Sequence, residues 1–102
     1  MKRTIKVAVI VAVISSIGVL TAHAYTGHEL ARDAKVSMGQ ARAIALKAHP
    51  GKITDEELEK ENGGSGLRYS FDIRHGKVTQ EVGVDAQTGK VLENAPEGPN
   101  PD

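Results

Sequence analysis

The stretch Leu67-Arg68-Tyr69-Ser70-Phe71-Asp72-Ile73-Arg74-His75-Gly76-Lys77-Val78, LRYSFDIRHGKV, decides the fold of this chain. Leu67, Tyr69, Phe71 and Ile73 alternate with Arg68, Ser70, Asp72 and Arg74. A period of two places one face of a strand on a core and the other in water. His75-Gly76 then reads as a two-residue connection, because glycine takes the positive φ of a primed hairpin turn without steric cost. With those two as the loop, Arg74 pairs with Lys77. The inward pairs are Ile73 with Val78, Phe71 with Gln80, Tyr69 with Val82 and Leu67 with Val84. Gly83 falls opposite Arg68 and marks a bulge or a close approach by another backbone.

Outward from this hairpin, Asp85-Ala86-Gln87-Thr88-Gly89 reads as the next turn. The Asp85 carboxylate can accept from amides ahead of it, and Gly89 tolerates positive φ. Lys90 to Glu93 is a short last strand, and Asn94 to Asp102, with Pro96, Pro99 and Pro101, is an extended, mobile C-terminal tail. On the other side, Asn62-Gly63-Gly64-Ser65-Gly66 is a flexible turn. Before it, Ile53 to Glu61 (ITDEELEKE) reads as a strand with Leu58, Glu56 and Lys60 inward and Asp55, Glu57, Glu59 and Glu61 in water. Ile53 has the wrong parity for that register, so a bulge is required between it and Leu58. Glu and Lys also favour helices, which leaves a helix here as the alternative.

Ser37-Met38-Gly39-Gln40 has the spacing of a capping box, in which each side chain satisfies an amide at a helix start. Ala41, Ile44, Ala45 and Ala48 follow at helical spacing, His49 lies in the last turn, and Pro50-Gly51 stops the helix. Residues 25–35 form a flexible N-terminal arm with a helical turn around Glu29 to Ala34. The expected fold is α+β: one main helix packed on a small antiparallel β-meander of about three to four strands.

Residues 1–24 read as a signal peptide. Lys2, Arg3 and Lys6 are the basic start, Val7 to Leu20 the apolar run, and Ala22-His23-Ala24 the small-x-small cleavage pattern. An uncleaved anchor is the rival, but a span needs roughly 20 apolar residues, reached here only by including Lys6 and His23. Cleavage implies export to the periplasm or medium, with no stable membrane insertion afterwards. It leaves ten of the 13 basic residues against all 13 acidic ones, a net charge of −3. With one Phe, two Tyr and no Trp, the chain lacks the basic patch and stacking platform of a nucleic-acid binder. The absence of cysteine excludes disulfides and thiolate metal sites.

Several segments together resemble a PepSY domain over roughly residues 36–93. They are Ala41-x-x-Ile44-Ala45 before His49-Pro50-Gly51, Glu57-Leu58-Glu59, Tyr69-x-Phe71-x-Ile73, and Val82-x-Val84-Asp85-Ala86-x-Thr88-Gly89-Lys90-Val91-Leu92. PepSY domains occur in the propeptides of thermolysin-like metalloproteases and in exported envelope proteins. The resemblance implies a helix-on-sheet fold, no cofactor, and regulation or inhibition of a peptidase by a small exported stand-alone module. Pro50, Gly51, Tyr69, Phe71, Asp85, Thr88 and Gly89 are the residues that carry the motif.

The residues themselves point away from catalysis. Ser37 is explained by the cap, Ser65 by a loop and Ser70 by an exposed strand position, while His28, His49 and His75 are scattered over the arm, a helix end and a turn. Gly63-Gly64-Ser65-Gly66 precedes a strand, so no helix N-terminus is there to hold a phosphate. The remaining candidate surface is the acidic run. Glu57, Glu59 and Glu61, facing Arg68 and Arg74 on the neighbouring strand, are the expected partner-binding residues. The alternative function is a periplasmic sensor or carrier that holds a cation or small ligand through Asp55, Glu57, Glu59 and Glu61. The expected partner is a protein, by resemblance a peptidase; the sequence does not encode a legible oligomeric state.

Overall fold

A computed structural model describes residues 25–98 of the 102-residue chain, so the expected signal peptide lies outside the described residues. One helix, α1 (Met38–Ala48), precedes four strands: β1 (Lys52–Lys60), β2 (Leu67–His75), β3 (Val78–Asp85) and β4 (Val91–Pro96). The strands form an antiparallel meander in the order β1-β2-β3-β4, with the helix on one face. The α+β expectation holds, and the Ile53 to Glu61 segment is a strand rather than a helix. Among the described residues, no helix is long and apolar enough to cross a membrane.

The helix forms where its caps require. The Ser37 amide donates to Gln40 Oε1 at 2.9 Å, and the Gln40 amide donates to Ser37 Oγ at 3.1 Å, closing the capping box. Met38, Ala41 and Ala45 are its buried residues, and small alanines allow a close approach to the sheet. Pro50-Gly51 ends it, but Gly51 has a further role. A Cβ there would come within 2.5 Å of the Arg74 carbonyl oxygen and 2.8 Å of Ile73 Cγ2, so glycine lets the chain cross against β2.

The inner face of the sheet supplies the rest of the core: Leu58, Leu67, Tyr69, Phe71, Ile73, Val82, Val84 and Ala86. Tyr69 is almost wholly buried yet polar at its tip. Its hydroxyl donates to the Val36 carbonyl at 2.6 Å and ties β2 to the approach to the helix. The bulge required between Ile53 and Leu58 is present between Ile53 and Asp55, and it brings Ile53 opposite Ile73. Glu56, inward by parity, escapes burial without a partner through two bonds of 2.8 Å from Arg42 on the helix.

The β2–β3 hairpin corrects the expected register by two residues. His75 pairs with Val78, leaving Gly76-Lys77 as the two-residue loop. Gly76 takes the first central position with φ 67°, where a primed turn needs a positive value. The inward pairs become Tyr69 with Val84, Phe71 with Val82 and Ile73 with Gln80, while Val78 stands half exposed beyond the core. Gly83 faces Ser70 rather than Arg68, and a bulge follows it on the β4 side. A Cβ at Gly83 would lie 3.0 Å from Arg68 Cδ, so what lies close there is a side chain, not another backbone.

Both ends of the domain carry hydrogen-bonded structure beyond the elements read from the sequence. Strand β4 continues past Glu93 through Asn94-Ala95-Pro96, and the Glu97 amide donates to the Thr79 carbonyl at 2.8 Å. An edge strand tolerates Pro96 because the missing N–H would face away from the ladder. The N-terminal segment is not loose either. Thr26 bridges to Glu57 in parallel, its carbonyl accepting from the Leu58 amide at 2.9 Å, and the Lys35 and Val36 amides both donate to the Ala86 carbonyl. Between these anchors His28–Asp33 forms a 3₁₀ turn. Gly27 makes the docking possible, since a Cβ there would collide with the Leu58 carbonyl oxygen.

Candidate functional site

The outer face of the sheet, opposite the helix, is a shallow acidic groove of about 270 Å³. Its lining is set by alternation: Asp55, Glu57, Glu59 and Glu61 from β1 and its end, Ser70 and Asp72 from β2, Glu81 from β3, and Glu93 and Glu97 from β4 and just beyond. The register that aligns the core on the other side sets Asp55 directly opposite Asp72, and Asp72 opposite Glu81. Like charges in directly opposed cross-strand positions repel. Asp72 is raised above its ordinary value, first by loss of water and then by Asp55. Glu57 is raised in the same way, first by burial and then by Glu59, Asp55, Asp72 and Glu61.

One end of the groove is balanced by Arg68. Arg68 lies across Gly83 with its side chain 12% exposed, 3.3 Å from Glu93 and 4.0 Å from Glu61, and it also donates to the Asn62 carbonyl. Arg74 does not join the acids as expected. Its Nε donates to the Gly76 carbonyl of its own turn, because β1 presents Lys52 opposite it. Of the expected partner-binding residues, Glu57, Glu59 and Glu61 therefore line the groove, Arg68 closes one end of it, and Arg74 stands apart.

The cation alternative also moves. Among the described residues, the carboxylates that bring three ligand atoms within 4.8 Å of one another belong to Asp72, Glu81 and Glu97, not to the acids of β1. Alternation along β2 and β3 already places Asp72 and Glu81 on the outer face. Glu97 was hidden because its position depends on β4 continuing to Pro96.

The serines among the described residues are each engaged in a structural bond. Ser37 caps the helix, Ser70 Oγ donates to Glu59 at 2.7 Å, and Ser65 Oγ donates to Asp85 at 2.8 Å. Asp85 is the buried hub of its turn, in a structural role. Its carboxylate accepts from the Ser65, Gln87 and Thr88 amides as well as the Ser65 hydroxyl. Burial pushes its pKa upward, but the Gln87, Ser65 and Thr88 bonds outweigh that and hold it down to about 2. Gly89 closes the same turn at φ 80°. Gly64 completes the enclosure from the other loop, leaving no room for a Cβ beside Asp85 Oδ2. The glycine-rich loop thus directs the Ser65 amide and hydroxyl onto the chain's own Asp85 carboxylate rather than onto an external phosphate.

Comparison with protein families matches residues 35–94 to the PepSY model, described as "Peptidase propeptide and YPEB domain". The match covers more than half of the chain, which belongs to the PepSY family. Comparison with curated proteins and with solved structures returns no match.

Proposed function

We propose that this PepSY domain is an exported, non-catalytic binding module that regulates a peptidase by non-covalent association, receiving a cationic surface of that partner in the acidic groove. The observation that carries the reading is the acidic groove itself, in which Asp55, Asp72 and Glu81 stand in cross-strand register beside Glu57 and Glu59. Electrostatic complementarity speeds encounter and selects partners more than it adds affinity, which suits a regulator. The family description supports a peptidase as the partner. The engaged serines and the reading of residues 1–24 as an export signal support the rest.

The test is inhibition. Turnover by a thermolysin-type metallopeptidase, and by peptidases extracted from the envelope, is expected to fall as purified protein is added. Unchanged turnover at saturating protein would remove the peptidase from the proposal.

A second reading takes the same groove as a site for a hard divalent cation, favoured by the convergence of Asp72, Glu81 and Glu97. It predicts a calcium-dependent rise in melting temperature that Glu81→Gln abolishes and that Glu57→Gln leaves in place.

A further inference from the structure

Two histidines that the acidic face does not use meet on the other side of the molecule. His49 is the C-cap of α1, and His75 is the last residue of β2, with the same parity as the buried Ile73. Their rings meet edge to face with centroids 6.4 Å apart and planes at 75°. The approach is fixed by the backbone, because Gly51 packs directly on the Arg74 carbonyl and Ile73. His49 Nε2 is shielded from solvent and makes no hydrogen bond. Leaving a buried nitrogen unpartnered is unfavourable, so such an atom calls for a ligand or donor that the chain itself does not supply. The ring contact with His75 does not satisfy it.

We propose that His49 and His75 are a ligand pair for a late first-row divalent metal ion such as Zn²⁺, tying the C-terminal end of the helix to the β2–β3 hairpin. Neutral imidazole suits zinc, copper and nickel, whereas calcium and magnesium take oxygen. Two imidazoles bound to one ion at ~2.1 Å and a tetrahedral angle have ring centroids roughly 5 Å apart. His75, exposed at the end of β2, is the ring that would move and turn to bring a nitrogen to the same ion as His49 Nε2. The bond would satisfy His49 Nε2, and water or a donor from a partner would fill the remaining positions. The two ligands come from separate elements, so the pair exists only in the folded chain, and binding therefore stabilises the fold by mass action.

The experiment is thermal unfolding of tag-free protein in metal-free buffer with added ZnCl₂. Saturating zinc is expected to raise the melting temperature by roughly 5–10 °C, reversibly with EDTA, while MgCl₂ has no effect. The rise should vanish in His49→Gln and in His75→Gln and persist in His28→Gln. Should His49→Gln fold poorly, calorimetric titration of zinc into His75→Gln decides alone, since that exposed position leaves the core untouched. Absence of a zinc response in the native protein, an equal response to magnesium, or an undiminished response in His75→Gln would overturn the proposal. None of these outcomes bears on the acidic groove, whose carboxylates lie on the opposite face.

Discussion

On the helix-bearing face of the sheet Tyr69 lies against Val84 and Phe71 against Val82, whereas one residue further along the same strand Asp72 is set between Asp55 and Glu81. Both faces share one backbone and one register. The inner face fixes that register, because sliding a strand by one residue would exchange buried and exposed side chains. The outer face inherits that alignment, which sets Asp72 between two other carboxylates. The contrast separates a face shaped by packing from one lined with carboxylates that the register brings together, and the second is the natural place to look for function.

The largest effect that could break this comparison lies inside. Phe71→Ala should cost about 3–5 kcal/mol, comparable with the whole stability of a small domain without disulfides, so the circular-dichroism melting transition should be lost or shifted far down. A mild effect would mean that the inner face is not the principal source of stability.

Asp85 comes next and shows that an acid on the outer parity can belong to the fold. Asp85→Ala leaves the Ser65, Gln87 and Thr88 donors without their acceptor, an expected loss of about 2–3 kcal/mol in chemical denaturation. The pH dependence sharpens the contrast. A carboxylate held at about 2 in the fold, against an ordinary 3.8, contributes stability above the ordinary value that is lost as pH falls from about 4 towards 2. Glu57 and Asp72 are raised instead, so their favourable contribution is complete when they are protonated and is lost as pH rises through their raised values. Stability should therefore increase as pH falls through the raised values of Glu57 and Asp72 towards their ordinary 4.5 and 3.8, and then drop below about 4 as Asp85 becomes protonated. Asp72→Asn should flatten the first change and Asp85→Asn the second. A monotonic decline from pH 7 would contradict the opposed roles of these acids.

The smallest expected effects are gains. Asp72→Asn should raise stability by a few tenths of a kcal/mol, up to about 1, by removing a like-charge cross-strand contact. Salt should produce a similar gain in the native protein and little in the variant, because screening and neutralisation relieve the same repulsion. Denaturant midpoints measured with and without 0.5 M salt, about three times physiological ionic strength, would check both.

Much of this was legible in the sequence, and the failures share a cause. The capping box, the β2 alternation, the Ile53 bulge and the Asp85 turn are local patterns whose chemistry admits few arrangements. The hairpin register was misread because a shift of two residues preserves parity, so alternation cannot detect it; only the preference for glycine at the first central turn position distinguishes the two. The docking of residues 25–35 rests on main-chain bonds from Thr26 and Ala86 and on the missing Cβ of Gly27, which leave almost no trace in side-chain pattern. The groove was half visible. The run Asp55 to Glu61 announced β1, but the opposition of Asp72 and Glu81 and the arrival of Glu97 depend on sheet register and on the true end of β4. Expecting Arg74 to face those acids followed from adjacency of strands without the register that assigns it Lys52.

The central claim is that the acids of the outer face are retained for recognition and not for folding. The most direct measurement compares the native protein with the triple variant Glu57→Gln, Asp72→Asn, Glu81→Gln, recording melting temperature and peptidase inhibition on the same samples. The account predicts a variant that melts at or above the native temperature and inhibits at least tenfold more weakly. A variant that is equally or more stable and inhibits as well as the native protein would contradict it and place the contact elsewhere on the domain.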